Sequence, residues 1–563
     1  AEKAKNDSEK QQLAAEALRI ADVARGRLVQ DAVAAASARA SVRNPKLAEL
    51  VRSEQDARKR VTAQSGVLAG VLALPLDQQD QNEVAELRES IEMLRAAADT
   101  LEKEIQREFP DYAALLNPPA PDINALRTAL HAGEAYISIY LGRDHSYVWA
   151  VPKTGPVAFA TTPLTRAYAE KLVTALRDAL NPQATTLGEI PDFDLRLAYR
   201  LYHETLEPIA TSWWPAKSLL VSVNGALGEL PLSILPTKKV RLKDQQGPLF
   251  AAYRDVPWLV RTHAVTLVPS AAALVTLRST PKGTAGRKPF IGFGDPYFNA
   301  QEAAKAKAAE PKSVRLAQSG EPAFRARGLP LSLRAAPKAD QGRLPTLSAL
   351  PRLPDTAEEV RSLAIAMSAD PSKSVRLGLK ANEQAVKSLK LSDYRVVAFA
   401  THGLTAGELS GLREPALALS APALADTDGD GLLTMTEIMG LRLDADWVIL
   451  SACNTGSGRG AGAEAVSGLG RAFFYAGTRS LLVSSWPVET VSARLLTTDL
   501  FRRQKENAGL DRAEALRQAM SALIDRPGMI DKKTNKPVFY YAHPIFWAPF
   551  ILVGDGGGAR GKS

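Results

Sequence analysis

The sequence predicts a mixed α/β protein: a doubled α/β sheet preceded by an all-α region that contains a helical hairpin. Three observations lead there. The first stretch, to about residue 115, carries apolar residues at three- and four-residue spacings. From about residue 120, short apolar runs alternate with helix-length segments, the pattern of an α/β layer. That pattern then restarts after a Pro/Gly/Lys linker at 279–288, and Leu219–Gly225 and Val396–Gly403 are both apolar strands ending in a polar residue and Gly.

The elements follow in order. Asn44-Pro45 supplies an N-cap residue and a Pro at the first helical position. The helix after it carries Leu47, Leu50, Ala57, Val61, Leu68 and Val71. After a break at 75–81, Val84, Leu87, Ile91, Leu94, Ala98, Leu101 and Ile105 alternate spacings of three and four, a heptad seam. Two such helices joined by a short loop predict an antiparallel hairpin, ended by Phe109-Pro110 and Asn117-Pro118-Pro119. Strands are expected at 135–140 and 146–151, helices at 165–180 and 194–212, and a strand at 219–223. The second system has Phe290–Pro296, a helix at 356–368, buried-type strands at 395–401, 447–451 and 480–484, and a last strand at 547–553. The implied domains are 1–118, helical; 119–284, a first α/β half; and 285–563, a second α/β half with a basic, flexible loop at 301–350.

At 563 residues the chain has room for two to four domains. Its 45% hydrophobic and 23% charged content is that of a globular protein. The longest apolar stretch, Val67–Leu76, is shorter than the ~20 residues of a membrane span, so none is expected. The single cysteine fits the cytoplasm, with the periplasm as alternative. Net charge is +9, but 301–350 holds nine Lys/Arg against four acidic residues. No aromatic residues interleave with those charges as a stacking surface requires, so a nucleic-acid partner is not expected.

Chemistry concentrates at two strand ends, where open α/β sheets build their sites. One strand closes with Ala400-Thr401-His402-Gly403, the other with Ser451-Ala452-Cys453-Asn454-Thr455-Gly456. The sole thiol and one of six imidazoles therefore share an expected site edge, 51 residues apart, and a histidine about 50 residues ahead of a nucleophilic cysteine is the caspase-type order. A free thiol, with pKa ~8.5, is only slightly ionised at neutral pH, and an adjacent imidazole raises the reactive fraction. Gly403 and Cys453 could supply two backbone N–H groups to an oxyanion hole. His543 is a rival base, but it precedes Pro544 and lacks the following Gly.

The carboxyl-terminal half resembles a CHAT domain, a caspase- and separase-related family often found behind helical repeats in bacteria. The matching stretches are Phe293–Pro296, Leu353–Val360, Thr401-His402-Gly403, Leu450–Gly456, Ser485-Trp486-Pro487-Val488 and His543–Phe550. Gly225–Leu232 is similar to the motif in the catalytically idle half of such modules. The resemblance runs from about 130 to 555. It implies a caspase-like doubled sheet, a pseudo-protease half before an active half, and a cysteine endopeptidase whose dyad is His402 and Cys453. By the same resemblance Ser451, Ser485, Trp486 and Glu489 line the substrate pocket. Glu489 suggests a basic preference there, and the basic loop at 301–350 would then suit self-cleavage.

One further motif stands apart. Asp426, Asp428, Asp430 and Glu437 occupy positions 1, 3, 5 and 12 of a calcium-loop pattern with Gly431 at position 6. A competing account makes Thr434–Glu437 a capping box and Asp430-Gly431 a turn. No cofactor is otherwise required. The sequence reading is thus a cysteine endopeptidase acting on a protein substrate and regulated by processing or by a partner on the helical region. Its alternative is a non-catalytic scaffold for protein–protein interaction, with an inert Cys453.

Overall fold

The computed structural model describes residues 7–25, 28–41, 45–72, 79–108, 121–242, 247–281, 283–308, 327–334, 345–451 and 468–557. Four helices come first: α1 (Asp7–Ala24), α2 (Leu28–Ser41), α3 (Pro45–Leu72) and α4 (Gln81–Glu108). α3 and α4 pair as a hairpin, with Arg58 bridging to Glu102. The heptad reading selects the buried face of α4: Val84, Ile91, Ala98 and Ile105 are all buried. α1 is clamped to the first half of the sheet through Asp22, whose carboxylate accepts from Ala271 N and Ala272 N, and Arg25, which donates to Ser138 Oγ.

The strands are β1 (Glu134–Leu141), β2 (Ser146–Pro152), β3 (Ala158–Thr162), β4 (Ser218–Ser222), β5 (Ala264–Leu267), β6 (Ile291–Gly294), β7 (Val375–Leu377), β8 (Val396–Ala400), β9 (Gly403–Leu404), β10 (Ala416–Ala418), β11 (Leu432–Thr434), β12 (Trp447–Leu450), β13 (Ser480–Ser484), β14 (Pro527–Ile530), β15 (Pro537–Tyr540) and β16 (Phe550–Gly554). Among the described residues, eleven form one sheet, in the order β3-β2-β1-β4-β5-β16-β13-β12-β8-β6-β7. β1, β4, β5 and β16 run parallel, β16 is antiparallel to β13, and β13, β12, β8, β6 and β7 run parallel again. The two halves therefore point in opposite directions. The carboxyl end of β4, where Asn224 lies, and that of β8, where His402 lies, fall on opposite edges of one sheet.

Local chemistry explains where the elements depart from the sequence pattern. Pro208 divides the expected helix at 194–212 into Leu195–Thr205, a 3-10 turn and Ala210–Trp213. Pro544 opens a short helix, Pro544–Trp547, so the last strand starts at Phe550. β3, β5 and β7 are short and carry no strong period. The basic stretch 301–350 is not wholly a solvated loop. Ala300–Ala308 is helical, begun by Asn299 accepting from Glu302 N, and Arg334 is only 2% exposed because two carboxylates neutralise it.

Two glycines set how closely the helix Asp355–Ala366 approaches β6. A Cβ at Gly292 would lie 2.4 Å from Val360 Cγ1, and one at Gly294 would lie 3.0 Å from Val360 Cγ2. Overpacking of this kind costs about 1–3 kcal/mol. Gly292→Ala is therefore expected to lower unfolding free energy by about that amount, read as a lower urea midpoint at unchanged slope. A variant as stable as the parent would show that Val360 moves aside freely.

Candidate functional site

The second half of the sheet carries the site edge. Its strand order, β7-β6-β8-β12-β13, places the reversal of strand order between β6 and β8, the crevice where doubly wound sheets bind ligands. β6 leads into Asp295, β8 into Thr401 and His402, and β12 into Ser451, whose N–H donates to Phe399 O at 3.0 Å. The edge is therefore built from neighbouring chain exits.

His402 is fully buried and held on several sides. Its carbonyl accepts from Ala418 N at 2.9 Å, and Thr401 Oγ1 donates to Ala418 O. Phe298 packs on the imidazole at 5.6 Å between ring centroids. Nε2 lies 2.8 Å from Pro351 O. A carbonyl oxygen only accepts, so Nε2 carries the hydrogen, and in the neutral ring Nδ1 is the lone-pair nitrogen. Nδ1 makes no hydrogen bond among the described residues. Pro351 is fixed by its neighbour, since Arg352 grips both oxygens of Asp295 at 2.7 Å.

Gly403 starts β9 and stands opposite Leu417 of β10. Because His402 O accepts from Ala418 N, His402–Ala418 is a hydrogen-bonded pair, and in an antiparallel ladder the next pair is not. The Gly403 N–H is thus turned away from β10. Cys453 lies outside the described residues, as do Ala452 and the glycine-rich residues after it. His543, the rival base, is buried among Phe193, Phe250 and Tyr253, where burial pushes it down to about 3.

The residues expected to line a pocket make the following contacts. Ser451 Oγ accepts from Arg334 Nη1 at 3.1 Å. Ser485 is buried, with its N–H bonded to Pro549 O and its carbonyl accepting from Arg177. Trp486 is fully buried and its indole donates to Ile545 O. The Glu489 carboxylate caps the helix Thr490–Glu506, accepting from Val491 N and Ser492 N. The acids at this edge are instead Asp355 and Glu359, bound to Arg334. They sit four apart near the start of one helix, on one face, a spacing readable within the Leu353–Val360 motif.

The calcium-loop residues do not converge. Glu437 completes the capping box with Thr434 and also binds Lys387, Asp430 accepts from Leu432 N, and Asp426 follows a single helical turn. Among the described residues no three His, Cys, Asp or Glu side chains gather as a metal-holding set. No helix of the described residues is long and apolar enough to cross a membrane.

The fold and this edge define an α/β protein with a locked, neutral imidazole at the carboxyl end of a parallel sheet. The CHAT domain model matches residues 195–555, and the chain belongs to that family. Over 124 residues the chain is 29% identical to tetratricopeptide repeat protein 28 of Mus musculus and 28% identical to that of Homo sapiens. That match covers 22% of this chain and 4% of those proteins. Two structures of the Saccharomyces cerevisiae separase–securin complex are similar at 10% and 11% identity, with TM-scores of 0.39 and 0.37. Each match covers 88% of this chain and 37% of the matched yeast chain. The chain thus spans a small part of the curated relatives and well under half of the yeast chain.

Burial holds the His402 imidazole below its ordinary 6.5, and the Arg334 charge adds to this, while Pro351 O and Glu302 oppose it. The native state thus binds fewer protons there than the unfolded chain does. Stability from this group is present above about pH 6.5 and lost as pH falls from there through the lower folded value. Urea unfolding at pH 7.5 and 5.5 is expected to show the parent losing more stability on acidification than His402→Gln. Equal losses would mean that the imidazole titrates as an exposed one does.

Proposed function

We propose that the chain is a cysteine endopeptidase acting on a protein substrate, with His402 as general base and Cys453 as nucleophile. The observation that carries the reading is the His402 imidazole, whose Nε2–H is committed to Pro351 O and whose Nδ1 lone pair is left over at the edge where β12 leads into Cys453. In this reading Nδ1 takes the thiol proton, and the thiolate attacks the scissile carbonyl carbon. The N–H groups of Gly403 and Cys453 stabilise the oxyanion. Collapse breaks the C–N bond, the amine leaves with the proton held by His402, and a thioester remains. Water then attacks the thioester and gives its proton to His402. The C–S bond breaks, an acid is released, and the proton returns to the thiolate.

The helical region bears on control. α2 and α3 pack toward the helix Gly468–Ala476, where Tyr475 donates to Asp56 at 2.7 Å. In this reading a protein bound to the helical region acts on the catalytic half through that helix. A non-catalytic scaffold is the second reading, favoured by the complete burial of His402.

Mass spectrometry after iodoacetamide treatment at pH 7 separates the two. The endopeptidase reading expects fast modification of Cys453 in the folded chain, slowed in His402→Ala, with turnover of casein falling by about 10²–10⁴. Modification only after unfolding would establish the scaffold.

A further inference from the structure

Residues 327–334 form a strap between the two halves. Leu331 N donates to Thr185 O and Leu187 N to Leu329 O, at 2.8 and 2.9 Å. Further along, Arg334 N donates to Val488 O and Thr490 N to Ser332 O, both at 3.1 Å, with Leu333 bridged antiparallel to Glu489. The strap is thus extended chain added, strand-like, to the segment that follows β13. Backbone pairing of this kind is how a sheet edge takes up a peptide, with pockets reading the side chains.

The side chain at the end of the strap fills such a pocket. Arg334 Nε and Nη2 reach Asp355 Oδ2 at 2.7 and 2.5 Å, and Nη1 reaches Glu359 Oε2 at 2.5 Å and Ser451 Oγ at 3.1 Å. Glu359 is fully buried, and its Oε1 accepts no hydrogen bond among the described residues. Two carboxylates around one guanidinium leave the slot with a negative excess. A planar, always-charged fork suits it better than an ammonium does. Such a buried cluster is weak evidence for stability in itself, because desolvation offsets the attraction. Its position is the informative feature. Ser451 stands two residues before Cys453, and the Arg334 charge reaches His402.

We propose that Ser332-Leu333-Arg334 is an internal occupant of a peptide groove, its guanidinium filling a slot walled by Asp355, Glu359 and Ser451, and that an extended arginine-bearing polypeptide is the ligand that replaces it. The chain as described is self-occupied. The meaning of the groove as a substrate site rests on the endopeptidase reading; the binding does not.

The test uses the full chain with Cys453→Ser, which removes thiol chemistry. Arg334→Ala is added to empty the slot, and fluorescence anisotropy follows a labelled Pro-Leu-Ser-Leu-Arg-amide peptide. The emptied chain is expected to bind it. Binding should weaken roughly thirtyfold or more for a citrulline analogue, or when Glu359→Gln is added. The chain retaining Arg334 should bind more weakly than the emptied one. Equal binding of arginine and citrulline peptides, or no binding by an emptied chain that still unfolds cooperatively, would overturn the proposal. Where emptying the slot lowers Tm, agmatine should raise it again, and should fail to do so once Glu359→Gln is present; no recovery in the former would equally overturn it. With Cys453 restored, binding without cutting would refute the endopeptidase reading and leave the slot standing.

Discussion

β16 is the strand on which the architecture turns. It lies parallel to β5 on one side and antiparallel to β13 on the other. By entering that way it joins two parallel sets that run in opposite directions. Each set then presents its carboxyl ends to a different edge. Asn224 and His402 close their strands in similar sequence contexts, but they do not meet. Asn224 bonds to the backbone of Leu141, whereas His402 faces the Asp295–Ser451 edge. Only one edge has the imidazole, and the acids converge there too.

That edge is assembled by packing rather than by loop chemistry alone. The glycines of β6 admit the helix Asp355–Ala366 at short range, and the helix brings its first-turn Asp355 and the fully buried Glu359 to the slot. Asp295 reaches across to Arg352, which settles Pro351, and the Pro351 carbonyl settles the tautomer of His402. Charge and geometry pass along a short covalent and hydrogen-bonded chain from strand end to imidazole. In the proposed reaction a base held this way needs little reorganisation, which is where preorganised sites gain most of their effect.

Much of this was legible in the sequence, for identifiable reasons. The heptad in α4 selected its buried face because burial follows a fixed helical period. The strands ending at His402 and Ser451 were visible as apolar runs closed by polar residues. What the sequence hid depends on long-range contacts. The partner of His402 is a backbone carbonyl, which no side-chain pattern encodes. Glu489 read as a pocket acid, and no side-chain pattern announced that its carboxylate also caps the next helix. Arg334 read as one charge in a solvated loop, because composition cannot tell a surface cation from one enclosed by carboxylates 21 and 25 residues away.

The family match begins at residue 195, yet β1, β2 and β3 lie before it and belong to the same sheet. Cutting the chain at that boundary would strip β1 from β4 and leave a naked hydrogen-bonding edge, the kind of surface that drives aggregation. It would also remove Ser138 and α1, with their polar links to this half. The unit of inheritance and the unit of folding do not coincide in this molecule. The segment shared across the family is a recognisable portion of an object that closes only when the strands ahead of it are present.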